Sequence, residues 1–401
     1  MSSIALYFHV HQPFRIKNYS FFSVGSDSNY YSTKSSKLDN KKILEKVVSK
    51  CYLPTNKLLL DLLKQHPDFK VSFSLSGLVI EQLTQYAPEV IDSFKELVNT
   101  GKVEILSETY YHSLSSIYSK EEFISQIQLH RKLIKETFAY ETTSFRNTEL
   151  IYNNEIAKTV EDLGFKAVVA EGVDKYLSGR SPNFLYQPKD TKKIKLLLKN
   201  YQLSDDIAFR FSDRSWSQWP LTADKFVDWI KTVGKDADTI NLFMDYETFG
   251  EHQWKETGIF DFLFEFPQQI MQNTDFKFLT VAETATVYKP VDTIDIREFT
   301  SWSDTERDVS AWLSNPMQLS AIKTLYELEG DVLETNDDAL IQDWRRLTTS
   351  DHFYYMSIKE SADGQVHKYF SPNENAYEAF TNFMTILHDL RQRVYTKIER
   401  N

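Results

Sequence analysis

Over roughly the first 290 residues, short apolar runs alternate with longer stretches whose apolar positions recur at helical spacing. The short runs fall at Ile4–His9, Val71–Leu75, Val103–Leu106, Ser144–Asn147, Ala167–Ala170, Ile207–Phe211, Ile240–Asp245 and Phe278–Val281. Between them, Asn153–Leu163 and Ala223–Val233 show the repeat of amphipathic helices, and Gly164 offers the first a C-cap. Strands that alternate with helices predict βα units and a parallel sheet. Seven or eight such units predict a closed or nearly closed barrel. Ile194–Leu198 reads as an extra strand in a small excursion, and residues 15–42, polar and aromatic without a period, as a long loop above the first strand.

The pattern changes after Lys289-Pro290. From Asp308 onward helical patterns dominate, ending in an amphipathic run from Asn373 to Glu399. The expected organisation is therefore an α/β barrel over residues 1–290 and a C-terminal helical region over residues 291–401 packed on it.

Composition narrows the function classes. Hydrophobic residues make up 41% of the 401 and charged residues 26%, a globular balance. The formal charge of −11 repels phosphate backbones. The densest basic stretch, Lys189 to Lys199, alternates Lys with Ile and Leu and reads as a solvated strand face, so no nucleic-acid partner is expected. Cys51 is the sole cysteine, which excludes an intrachain disulfide, and its helix-like surroundings before Pro54 read as core. The N-terminus enters a strand at once, without the basic and apolar regions of a secretory leader, and no run approaches the ~20 apolar residues of a membrane span. A cytoplasmic protein without a membrane partner is the expectation. No feature of the sequence marks an oligomer interface.

Polar residues gather just after several strands, where barrel folds place their chemistry. The clusters are His9-Val10-His11-Gln12-Pro13, Glu104 to His112, Phe145-Arg146-Asn147-Thr148-Glu149-Leu150, and Asp245-Tyr246-Glu247-Thr248-Phe249-Gly250-Glu251-His252-Gln253-Trp254. Glu149 and Asp245 suit a reaction needing two carboxylates, one to protonate a leaving oxygen and one to meet positive charge at an anomeric carbon. Carboxylates at strand ends also cap helices or pair with arginine. Trp216, Trp219, Trp254 and Trp302 lie in loop-like stretches where indole rings can pack on the C–H faces of sugars, although many tryptophans simply fill cores. His9 and His11 point the same way on a strand and leave a metal-dependent reading open, with His112, His252 and Asp245 as further ligands. No GxSxG elbow, Walker loop, GxGxxG turn, CxxC or HExxH occurs, so no cofactor is expected.

The clusters, in this order, resemble the five motifs of glycoside hydrolase family 57. His11-Gln12-Pro13 is similar to the first, and Gly101-Lys102-Val103-Glu104-Ile105 running on to Tyr110-Tyr111-His112 to the second. Phe145 to Leu150 resembles the third, Asp245 to Gly250 the fourth, and Trp302 to Trp312 with Glu306-Arg307-Asp308 the fifth. The resemblance runs from residue 4 to about 320. It implies an incomplete (β/α)7 TIM-like barrel whose C-terminal helical region completes the cleft, retention of configuration, α-glucan or maltooligosaccharide substrates and no catalytic metal. By position it makes Glu149 the nucleophile and Asp245 the acid/base. His11 and His112 would hold the sugar and Trp302 would touch it, with Gln12, Arg146, Glu247, His252, Trp254 and Asp308 as further substrate-binding candidates.

Two stretches depart from the family pattern. Many members read Gly-His-Trp-Trp where this chain has Gly250-Glu251-His252-Gln253-Trp254, and the second motif ends in His112 where relatives often carry Glu. Both catalytic carboxylates are retained. The implied activity is an α-amylase-type hydrolase. The alternatives are a 4-α-glucanotransferase with the same intermediate, a metal-dependent barrel hydrolase or deacetylase using His9, His11 and Asp245, and a non-catalytic glycan-binding protein.

Overall fold

The computed structural model describes residues 2–31, 39–359 and 371–400. Its strands are β1 (Ser3–Val10), β2 (Val71–Leu75), β3 (Val103–Ile105), β4 (Ser144–Arg146), β5 (Ala167–Glu171), β6 (Leu185–Pro188), β7 (Lys195–Lys199), β8 (Thr239–Asp245), β9 (Lys277–Phe278) and β10 (Asp292–Ile294). They form two five-stranded sheets. One runs β3-β2-β1-β8, with β9 also paired to β1, and the other runs β10-β6-β7-β5-β4. Every pairing is parallel except β6 with β7.

The sheets meet along both sides. Ser107, just after β3, bridges in parallel to Phe145 of β4. On the other side Asn241 Nδ2 of β8 donates to Leu198 O of β7 at 2.8 Å, and Asn200 N donates to Asn241 O at 2.9 Å. Seven strands therefore surround a common interior.

Alternation along each strand sorts residues between that interior and the outer helices. On β1, Ile4, Leu6, Phe8 and Val10 join the apolar core outside the first sheet, whereas Ala5 and Tyr7 join a small inner core with Leu106, Val169, Leu197 and Phe243. The inward face of β1 continues to His9, that of β7 to Lys199, that of β5 to Glu171 and that of β8 to Asp245. Apolar side chains fill one end of the ring and ionisable ones the end toward which the strands run.

Helices cover the outside. Asn154–Asp162 is capped by Asn153 and Ala223–Val233 lies where its periodicity predicts. The C-terminal helices Pro316–Glu327, Glu329–Glu334, Asp338–Leu347, Ser350–Tyr354 and Ala376–Ile398 pack with Phe145, Val168 and Leu196 of the second sheet in one core. Among the described residues no helix is long and apolar enough to cross a membrane.

Six expectations change. Ile207–Phe211 is not a strand: residues 201–208 form a helix whose N-cap Asn200 accepts from Leu203 N, and Ile207 faces the core from that helix. The ring takes β7 instead, so the stretch read as an excursion is a main strand. Lys189–Lys199 is not a solvated face at its end, because Leu196–Leu198 and Lys199 are buried. The expected strand Phe278–Val281 stops at Phe278, since Thr280 and Glu283 form a capping box that starts the helix Val281–Val287. Of the expected loop 15–42, residues 32–38 lie outside the described residues, and a helix begins at Asn40. Beyond Pro290 the chain returns to the second sheet as β10 before turning helical.

Candidate active site

The strand ends open into a cleft of roughly 1130 Å³, counting its open mouth. Ten of its lining residues are acidic, basic or histidine, and they come from both sheets and from the C-terminal helices: His9, His11, Arg15, His112, Glu149, Lys199, Asp245, Glu247, His252 and Asp351.

Glu149 occupies an unusual backbone. After β4 the chain makes a tight turn in which Leu150 N donates to Asn147 O and Ile151 N to Thr148 O. Glu149 and Leu150 both adopt positive φ, at 55° and 51°, a conformation that disfavours side chains by roughly 1–2 kcal/mol each. The turn is braced by Asn147 Nδ2 bonds to Ser116 Oγ and Ile151 O, and by Thr148 Oγ1 to Thr109 Oγ1 at 2.6 Å. Strain held this way aims a side chain. The Glu149 carboxylate faces His112 Nε2 at 3.2 Å, accepts from Trp302 Nε1 at 2.9 Å and from Ser350 Oγ at 3.1 Å.

Behind it lies a buried charge cluster. Burial works against a charge on His112, but hydrogen bonds to Glu108 and Glu149 outweigh it and raise the imidazole to about 9. Burial would likewise raise Glu108, yet the His112 hydrogen bond and the Arg146 charge leave it lowered. Arg146 is fully buried, with Nη1 3.9 Å from Glu108 and its guanidinium over the Trp302 ring, whose centroid lies 5.1 Å away. Lys199 Nζ lies 5.5 Å from the same centroid, anchored by Asp205 at 2.9 Å and Glu171 at 3.4 Å.

Asp245 ends β8, in register with His9 of β1. The next inward carboxyl, Glu247, is raised to about 8, first by burial and then by the charge of Asp245. Tyr52 OH donates to Glu247, and Gln12 Nε2 approaches the same oxygen at 3.5 Å. Tyr52 belongs to a π-helical turn, Val48–Tyr52, whose Lys50 carbonyl presses so close to Gly250 that a Cβ there would lie 2.0 Å from it. Gly250, at φ 107°, is thus required by both its backbone and its neighbour.

Of the sequence candidates, His11, Gln12, His112, Glu149, Asp245, Glu247, His252 and Trp302 line the cleft. Arg146 lies beneath it. Trp254 is 60% exposed beside Lys50, and Asp308 accepts from Ser310 N in its own turn, so neither lines the cleft. Where the family pattern has other residues, Glu251 is buried against Lys46 and Gln253 Nε2 bonds Ala208 O, both structural duties. Sequence reading misses Lys199, Ser350 and Asp351. Asp351 accepts from His11 Nε2 at 3.0 Å. An unbroken polar run, Thr348-Thr349-Ser350-Asp351-His352, inside a helical region is the available signal.

Among the described residues, two groups bring potential metal-ligand atoms within 4.8 Å of one another, His9-Glu108-His112 and His11-His112-Asp351. Asp245 is in neither. Both groups share His112, whose nitrogens already face Glu108 and Glu149, and the three imidazole rings stack in near-parallel planes, His11 and His112 at 4.0 Å. In-plane lone pairs of stacked rings diverge from a common ion, and the Arg146 charge beside Glu108 opposes one. The donor set fits a hydrogen-bonding network better than a cation.

A family model described as glycosyl hydrolase family 57 matches residues 5–297, nearly three quarters of the chain. The chain belongs to glycosyl hydrolase family 57. A protein of Methanocaldococcus jannaschii named "Putative alpha-amylase" is 45% identical over 402 residues, covering 96% of this chain and 83% of its own. The "Alpha-amylase" of Pyrococcus abyssi is 24% identical over 253 residues, 62% of this chain but 37% of that protein. In fold, the family 57 member resembles the crystal structure of a GH57-type branching enzyme from Pyrococcus horikoshii, with TM-score 0.74, 14% identity and coverage of 100% of this chain and 91% of that one. This family 57 protein is a glycoside hydrolase.

Proposed function

We propose that this family 57 protein is a retaining hydrolase of α-amylase type that cleaves α-1,4-glucans or maltooligosaccharides. Glu149 is the nucleophile and Asp245 the general acid/base. The observation that carries this reading is the Glu149 carboxylate, strained into the cleft and held by His112, Trp302 and Ser350 while Asp245 lines the same space. The names of the relatives support an α-glucan as substrate.

In the first step a Glu149 oxygen bonds to the anomeric carbon as its bond to the leaving sugar breaks, and Asp245 gives its proton to the leaving oxygen. Asp245 then takes a proton from water, which attacks the ester and frees the sugar. Donors already aimed at Glu149 hold its charge without reorganisation. His11, Gln12, His252 and Trp302 contact the sugar from the cleft wall, and Arg146 acts by holding Glu108 and His112. The seven-stranded ring is read as the incomplete (β/α)7 barrel of residues 1–290, with residues 291–401 completing the cleft through Ser350, Asp351 and Tyr355.

The test is maltoheptaose digestion in chelator-containing buffer, with products resolved by chain length. Wild type should give shorter sugars and Glu149→Gln none. Full activity in the variant sinks the nucleophile assignment, and products longer than the substrate reclassify the protein as a glucanotransferase. A silent wild type that still binds the sugar favours a glycan-binding role.

A further inference from the structure

One donor to Glu149 comes from neither the strand ends nor the sequence motifs. Ser350 begins the short helix Ser350–Tyr354 of the C-terminal region, is fully buried, and directs its hydroxyl at Glu149 Oε1. That oxygen also faces His112 Nε2.

The segment is fixed by other bonds. Ser350 N donates to His112 O at 2.9 Å, Thr349 Oγ1 donates to Tyr111 O at 3.0 Å, and Thr349 pairs with Ser113 in an antiparallel bridge. The backbone is therefore secured without the Ser350 side chain, whose hydroxyl is given to the Glu149 carboxylate.

We infer that Ser350 is a positioning residue for the nucleophile, by which the C-terminal helical region orients and holds ionised the Glu149 carboxylate of the barrel. This rests on Glu149 being the nucleophile. The chemistry follows from which oxygen is held. As one oxygen of Glu149 bonds to the anomeric carbon and the bond to the leaving sugar breaks, the other becomes the ester carbonyl and still accepts hydrogen bonds. Ser350 and His112, both on Oε1, keep that oxygen in place, while Oε2, which accepts from Trp302 Nε1, is the oxygen left to meet the sugar. A hydroxyl also serves the carboxylate without carrying charge, so it steadies the ionised form at any pH where His112 changes state.

The experiment compares Ser350→Ala, Ser350→Thr and Glu149→Gln in the full chain. Kinetics on maltoheptaose across pH are measured together with the rate of covalent labelling by a 2-fluoro glucosyl fluoride and the thermal midpoint. Loss of a hydrogen bond to a charged group should lower kcat in Ser350→Ala about tenfold, with KM within about twofold. The labelling rate should fall in parallel. Because the lost donor favoured the ionised carboxylate, the acidic limb of the pH profile should move to higher pH. Ser350→Thr keeps the hydroxyl and should return the limb to its wild-type position.

Wild-type kcat and an unmoved limb in Ser350→Ala overturn the inference. So does an equal loss in Ala and Thr with an unmoved limb, which signals a packing effect. Should Ser350→Ala fail to fold, Ser350→Cys, similar in size and only a weak donor, reads the same limb. An active, unlabelled Glu149→Gln would instead point to failure of the nucleophile reading, which separates the two ideas.

Discussion

The two carboxylate neighbourhoods of the cleft are built in opposite ways. Glu149 sits at the end of a strained turn, ringed by donors, with the cations His112, Arg146 and Lys199 grouped about it and about its Trp302 partner. Asp245 instead continues the extended backbone of β8, and the nearest acid on its own turn, Glu247, is a carboxyl that retains its proton to about pH 8. One neighbourhood gathers donors and cations about its carboxylate, and in the other the paired carboxyls Asp245 and Glu247 do not both carry charge until about pH 8. Retaining glycosidases need that asymmetry, since one carboxylate must attack while the other must first donate a proton. The difference is made by neighbours, because the two groups are chemically almost the same.

The strongest way to break the comparison is to change what the reaction demands of each side. With a natural glucan, Asp245→Ala and Glu149→Gln should both lose activity, the former by the ~10²–10⁴-fold typical of general acid–base catalysis and the latter at least as much. With an aryl glycoside whose leaving group needs no proton, glycosylation in Asp245→Ala should recover most of its rate, read as a burst of released phenol. Glu149→Gln should gain nothing. Equal responses of the two variants would mean that the roles do not divide as assigned.

Much of this division is legible in the order of residues alone. The apolar runs that form β1, β3, β4 and β8 lead into the four polar clusters, and each cluster sends a side chain into the cleft. An inward face that changes from Tyr7 to His9, or from Phe243 to Asp245, is written directly in the two-residue period of a strand. β7 is harder to read. Its Leu196–Leu198 is flanked by lysines, and the short stretch does not tell a solvated face from a buried strand whose Lys199 finds Glu171 and Asp205 on other elements. Ser350 is hard to read for a similar reason: the polar run Thr348 to His352 marks the segment but not its distant partner. Nothing local distinguishes a helix-starting serine from one delivered 201 residues along the chain to a glutamate. Trp254 shows the reverse failure, a motif aromatic that the turn at Gly250 leaves at the surface.

A smaller effect sharpens the acid/base side. Glu247 is raised by burial and by Asp245, and through the same coupling its own ionisation near pH 8 places a second negative charge beside Asp245. Glu247→Gln supplies a neutral side chain of the same shape. Below pH 7 the variant should lie within about tenfold of wild type, since Glu247 is already neutral there. The inflection of kcat near pH 8 should vanish. An inflection that persists in Glu247→Gln assigns it to another group.

The smallest expected effect is on stability, and it follows from the same groups. His112 is raised from 6.5 to about 9, so both folded and unfolded chains hold its proton below pH 6.5, and only the folded one does between 6.5 and 9. Its contribution is fully present below pH 6.5 and is lost as the pH rises through 9. Glu247 acts in the same direction over a lower range. The folded chain keeps its proton from the ordinary 4.5 to about 8 while the unfolded chain has released it, so stability again falls with rising pH. His352, held neutral by burial and lowered to about 4, opposes them: stability rises between pH 4 and 6.5 as the unfolded chain gives up the proton that the folded one lacks. His9 and His11, also lowered by burial, reinforce that rise. The thermal midpoint should therefore peak around pH 6 and decline by a few degrees toward pH 9. Calorimetry of wild type and His112→Gln across that range checks it. The variant should lose the decline between about pH 8 and 9, where Glu247 no longer contributes, and keep only the shallower slope that Glu247 gives between 6.5 and 8. A wild-type midpoint that climbs from pH 6.5 to 9 would mean that His112 is not charged between Glu108 and Glu149, and the cationic side of the comparison would go with it.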